Sequence, residues 1–263
     1  MSHLRRWVGA VVALGVLGGV CAACTSSDSD ASSGRKSSAP NETTLPADAG
    51  SGSGVAAGGS DAPTFHVAQA VGTTLVVKDR PESDGDVVRT LLATDNVSGK
   101  IVCLVDNQLG DWVQVYLPVG AVGTTGWVPL AQVTLSRHAF RLQVARRAHR
   151  LTLYSGRSVV LTAPVALGPD APPAGERLFV TELVRPPNPA GPYRAFAYGL
   201  SGAANGQADF AAGHGVVAVH GTDDPTGLGR DVARGAVGID DAVVTRMVQS
   251  IGLPLGTPVD IVR

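Results

Sequence analysis

His220 is the residue best placed by its neighbours to do chemistry. It closes the apolar run Val216-Val217-Ala218-Val219 and is followed by Gly221-Thr222-Asp223-Asp224-Pro225. An imidazole at the end of a strand-like run can act as a general base. A base needs a nucleophile, and the sequence offers little: no cysteine occurs after Cys103. The candidate hydroxyls are Thr222, next but one to His220, and Ser201 on the strand before it, and both need stronger activation than a thiol. His214 lies six residues before His220, but no Cys, Asp or Glu cluster at ligand spacing accompanies the pair. The pattern therefore calls for no metal and no cofactor, and His214 reads as a loop residue.

The elements that must hold His220 are short strands. The chain has 263 residues, 44% hydrophobic, with 33 glycines and only 5% aromatics, a profile of many strands joined by turns. The formal net charge of −1 gives no reason to expect a nucleic-acid partner. From about Phe65, β-rich runs alternate with turn formers: 74–77, 87–92, 101–105, 112–117, 126–128 and 133–135. Five or so strands at this spacing predict a small barrel, either with a binding groove or simply packing Trp112 and Trp127 in its core. Phe140-Arg141-Leu142-Gln143-Val144 alternates as a half-buried strand does. Residues 150–161 read as a hairpin turning at Ser155-Gly156. One helix is predicted over 240–251, with Asp240 and Asp241 at its start and Gly252 at its end.

The N-terminus predicts export. Arg5 and Arg6 precede a 16-residue apolar stretch, Val8 to Ala23. A membrane-spanning helix needs about 20 such residues, so a removable signal over 1–23 is favoured. The stretch ends in Cys21-Ala22-Ala23-Cys24, and the small residues before Cys24 fit a bacterial lipoprotein cleavage site, although Cys21 stands where Leu is usual. Lipid on Cys24 would anchor the protein at the outer face of the cytoplasmic membrane. An ordinary signal cut near Ala23 is the alternative. Residues 24–63 are rich in Ser, Gly, Ala, Asp and Pro and predict a disordered linker. As a flexible coil it would span roughly 35 Å. Cys103 sits within Ile101-Val102-Cys103-Leu104-Val105 and is expected to be a small buried hydrophobe.

Several motifs resemble known families. Asp111-Trp112-Val113-Gln114-Val115 followed by Thr124-Thr125-Gly126-Trp127-Val128 is similar to bacterial SH3-like domains, which places such a barrel over 64–137. Residues 138–263 resemble the L,D-transpeptidase (YkuD-type) family. The resemblance lies in Val216 to Pro225, Gly227-Leu228-Gly229, Ala233-Arg234-Gly235-Ala236-Val237-Gly238, Gly191-Pro192-Tyr193, Tyr198-Gly199-Leu200-Ser201-Gly202, and the closing Leu253-Pro254-Leu255-Gly256-Thr257-Pro258-Val259. It implies a mainly β domain of sandwich or barrel type with one short helix, acting on peptidoglycan stem peptides through a cysteine thioester.

The same resemblance identifies what is missing. The family's His-Gly-Thr segment is kept as His220-Gly221-Thr222, with His220 at the base position. The family's Ser-His-Gly-Cys-(Ile/Val)-Arg segment reads Ala233, Arg234, Gly235, Ala236, Val237 and Gly238. Ala236 replaces the nucleophile and Gly238 replaces an arginine. A methyl group cannot attack a carbonyl. The resemblance thus implies a stem-peptide binding or regulatory module built from Gly221, Thr222, Arg234, Gly235 and Gly238, working alone or beside an intact L,D-transpeptidase. Two alternatives remain: an active transferase or hydrolase using a hydroxyl nucleophile, and an envelope scaffold that contacts a protein partner through the barrel.

Overall fold

The computed structural model describes residues 62–186, 188–190, 194–202, 217–222, 224–232 and 236–263. The signal segment, Cys24 and all but the last two residues of the predicted linker lie outside these residues, as do His214, Asp223, Ala233, Arg234 and Gly235. The described residues fall within one compact unit. It is mainly β, as the composition predicts, and is built from two sheets.

The first sheet has seven strands in the order β3-β2-β6-β5-β4-β1-β7. They are β1 (Phe65–Ala70), β2 (Thr74–Lys78), β3 (Val87–Leu92), β4 (Val102–Leu109), β5 (Trp112–Tyr116), β6 (Thr125–Pro129) and β7 (Val133–His138). Alternation decides which side chains enter the core. Leu75, Val77, Val113, Val115 and Val128 are fully buried, and Cys103 joins them with no exposed surface. Burial without a charged neighbour pushes the Cys103 thiol up to about 12, so it is a packing group.

The tryptophans go the other way. Gln114 pairs with Trp127 across β5 and β6, so Trp112, Tyr116 and Trp127 share the outward face, half-buried. The core reading of Trp112 and Trp127 is corrected here. Val113 and Val115 take the inward positions, and a strand cannot present neighbouring residues to the same side.

The second sheet has nine strands in the order β10-β9-β8-β16-β12-β13-β14-β15-β11. These are β8 (Phe140–Ala145), β9 (Arg150–Ser155), β10 (Ser158–Pro164), β11 (Ala166–Leu167), β12 (Arg177–Val184), β13 (Ala197–Leu200), β14 (Ala218–Gly221), β15 (Val237–Ile239) and β16 (Pro258–Val262). Most pairs are antiparallel; β16–β8 and β14–β15 are parallel. One face builds a core of Leu142, Val144, Leu153, Val180, Tyr198, Val219, Val237 and Ile261. The hairpin predicted at 150–161 forms, with Gly156 at φ 59° in its turn.

The predicted helix also forms. Asp240 accepts a hydrogen bond from Ala242 N at 2.8 Å, capping α1 (Asp241–Arg246). The helix continues as a wider π-type turn, Met247–Ile251, and ends at Gly252 with φ 66°. Val244 and Met247 bury against the core face of β14 and β15. Among the described residues, no helix is long and apolar enough to cross a membrane.

Candidate functional site

The site lies on the face of the second sheet that points away from its main core. Ala197 pairs with His220 across β13 and β14, and His220 pairs with Gly238 across β14 and β15. One residue pair further along, Glu182 faces Gly199 and Gly199 faces Ala218. Directly paired residues share a face. His220 and Glu182 therefore rise from a floor of glycines and alanines, with Val184, Ala197 and Ala218 packed together there.

His220 is 7% exposed. Its Nδ1 lies 2.8 Å from the carbonyl oxygen of Gly221. A carbonyl can only accept, so Nδ1 must carry the proton and donate it. When the ring is neutral, its lone pair is then on Nε2, the tautomer a general base requires. No side-chain pattern encodes this orienting group, because it is a backbone carbonyl.

Ala236 immediately precedes β15. Gly168 N donates to Ala236 O at 2.9 Å, which continues the β11–β15 ladder by one step. Alternation then places Ala236 on the same side as Gly238 and His220. Strand spacing and rise put the Cα atoms of Ala236 and His220 roughly 8 Å apart. A longer side chain at 236 would be within reach of the imidazole. The methyl of Ala236, in a residue 2% exposed, ends short of it.

The hydroxyls near His220 already have other work. Thr222 N donates to Ile239 O at 2.8 Å, and Thr222 Oγ1 accepts from Asp224 N at 3.1 Å. Asp224 in turn accepts from Thr226 N at 3.0 Å and from the Thr226 hydroxyl. Those Thr226 bonds hold the Asp224 carboxyl below its usual range. Thr222 is thus the first member of a turn that leads the chain away from β14. Ser201 Oγ accepts from Phe179 N at 3.1 Å and is 4% exposed. Neither hydroxyl is hydrogen-bonded to His220.

Two glycines flank this row for different reasons. A Cβ on Gly221 would sit 2.5 Å from Asp241 Oδ1 and 2.9 Å from Arg194 Cβ, so only glycine lets α1 and residue 194 approach the end of β14. A Cβ on Gly238 would meet nothing nearer than 3.5 Å, which is ordinary contact. Gly238 is therefore a position where a small side chain would fit without steric conflict. Arg234 and Gly235 were expected here too, and they lie outside the described residues. Among the described residues, no group of three His, Cys, Asp or Glu is placed to hold a metal.

No protein-family model matches the chain. A Bacillus licheniformis protein, provisionally named L,D-transpeptidase YkuD, is 31% identical over 124 residues, covering 46% of this chain and 65% of that protein. The chain thus spans a little under two thirds of that relative's length. Solved structures that overlap it include Bd1075 of Bdellovibrio bacteriovorus, at TM-score 0.36 and 20% identity, covering 48% of this chain and 49% of that one. L,D-transpeptidase 1 of Mycobacterium tuberculosis overlaps at TM-score 0.34 and 17% identity, covering 53% and 78%. Over those 124 residues the chain is similar to a YkuD-type L,D-transpeptidase.

Proposed function

We propose that the protein is an exported envelope lipoprotein whose C-terminal domain binds peptidoglycan stem peptides without turning them over. The observation that carries this reading is Ala236. It shares a face with His220, whose Nδ1 lies against the Gly221 carbonyl, and supplies no atom that can attack a carbonyl. Acyl transfer from an amide needs a nucleophile that the base can deprotonate. Thr222 and Ser201 are committed to backbone groups, which argues against a hydroxyl substitute. His220, Gly221 and Thr222 remain in place, and removing a nucleophile deletes chemistry far more completely than binding.

Gly221, Thr222, Arg234, Gly235 and Gly238 are the proposed contacts for the peptide. Gly238 lacks the arginine that the family pattern carries, so affinity for an anionic stem peptide should be weak. We expect dissociation constants on the order of millimolar to tens of micromolar, about 4–6 kcal/mol. Lipid on Cys24 and the linker over 24–63 would present this domain to the wall from the outer face of the cytoplasmic membrane.

The test is to titrate a disaccharide-tetrapeptide into the protein calorimetrically and to follow products by mass spectrometry. Saturable binding that weakens in His220→Ala, with no cleavage or exchange product, is the expected result. A released or cross-linked product from the wild type would establish an active enzyme with an unassigned nucleophile. Absence of binding would favour the scaffold reading. The outward Trp112, Tyr116 and Trp127 of the first sheet support that reading as a contact for a protein partner.

A further inference from the structure

Glu182 is a carboxylate with 4% exposure, and three separate features accommodate it. The β12–β13 register shifts between Val180 and Glu182, and this bulge sets the side chain on the His220 face. Opposite it stands Gly199, where a Cβ would lie 2.8 Å from Glu182 Cγ and 3.0 Å from Oε1. The third is a donor from the other sheet: Val97 N donates to Glu182 Oε2 at 3.0 Å, across 85 residues of chain. Burying a charge is costly unless it is held by such bonds. A merely packing position would be filled at lower cost by an apolar side chain.

The bond fixes one particular piece of the first sheet. Val97 belongs to the turn after β3, closed by Gly99 N donating to Asn96 O at 3.0 Å. With its amide held by Glu182, the Val97 side chain stays 59% exposed. Glu182 lies two strands over and two residues along from His220, roughly 12 Å between Cα atoms by strand geometry.

We propose that Glu182 is a positioning residue that holds the Asn96–Gly99 turn as one wall of the His220 site, so that the first sheet takes part in ligand binding. The proposal rests on the reading of the His220 face as a ligand site. The first sheet then acts within the site rather than as a separate module.

The bond can be cut from either side. Glu182→Ala removes the acceptor. Val97→Pro removes only the donor: residue 97 is the second of four in its turn, a position that suits proline. Asn96 before it is already extended, at φ −125° and ψ 140°, as a residue preceding proline must be. Two readouts are taken on the full chain, with circular dichroism to confirm folding. One is the rate at which diethylpyrocarbonate modifies His220, followed by mass spectrometry. The other is calorimetric affinity for a disaccharide-tetrapeptide.

Loss of a hydrogen bond to a charged group should raise His220 labelling by about tenfold in each single variant. The double variant should add nothing further, because both remove the same bond. Unchanged labelling in the single variants overturns the proposal, as does a double variant equal to the sum of two independent effects. If Glu182→Ala fails to fold, Val97→Pro decides alone, since its turn is exposed. If the fragment binds all variants equally, the wall assignment falls while the ligand reading stands. If labelling responds as expected but no fragment binds the wild type, the wall stands and the stem-peptide reading falls.

Discussion

Replacing Gly221 by alanine should disturb the site through its neighbours rather than through His220 directly. The added methyl would lie 2.5 Å from Asp241 Oδ1, 2.9 Å from Arg194 Cβ and 3.2 Å from Arg194 Cγ. Asp241 Oδ1 also accepts from Ala195 N at 3.4 Å, so moving it loosens the approach to β13. Forcing a methyl into a packed position costs about 1–3 kcal/mol. For a folded unit of this size each kcal/mol lowers Tm by roughly 2–4 °C. Gly221→Ala should therefore melt roughly 2–12 °C below wild type. Gly238→Ala provides the control, because its Cβ would meet Ala166 Cβ and Thr222 Cβ at 3.5 Å without overlap. Its expected change is about neutral, with a gain of ~0.4–1 kcal/mol from the less flexible unfolded chain. Scanning calorimetry on both variants is the assay. Equal stability of Gly221→Ala and wild type, or a larger loss in Gly238→Ala, would refute the reasoning from these distances.

Further outcomes follow from other positions. Intact-protein mass spectrometry should find no carbapenem adduct on the wild type, since Ala236 offers no sulfur; an adducted residue would identify a hidden nucleophile. His138 is held between the rings of Phe65 and Phe140, and burial lowers its pKa from 6.5. The unfolded chain then takes up the proton first, so stability should be full above pH 6.5 and decline as pH falls through the folded value. His138→Asn should flatten that part of a Tm–pH profile, and an unchanged slope would count against the assignment. Gly256 sits at φ 81° with Val67 against it, so Gly256→Ala should cost about 2–3 kcal/mol in urea unfolding. Gly252→Ala, at φ 66° with open space around it, should cost about 1 kcal/mol. Cys24→Ser should release the protein from membrane fractions, and a variant that stays bound would point to a retained apolar helix.

The sequence by itself determined many of the strands, the helix ends and the absence of a thiol beyond Cys103. Alternation placed Leu142 and Val144 inward and Arg141 and Gln143 outward, because strand geometry leaves no other choice. Asp240 and Gly252 bracketed the helix because each satisfies backbone groups that a helix end leaves open. The absence of any cysteine after Cys103 is a fact of composition that no folding can alter. Tertiary structure decided what depends on partners distant in the chain. Pairing register set Gly238 opposite His220, and Gly221's carbonyl fixed the imidazole proton on Nδ1. It turned Trp112 and Trp127 outward, because Val113, Val115 and Val128 filled the core side. It also revealed Glu182, whose role depends on a bulge, a facing glycine and an amide 85 residues away. Local patterning carries information about neighbours three or four residues apart, whereas a buried charge is stabilised by groups that meet only when the sheets come together.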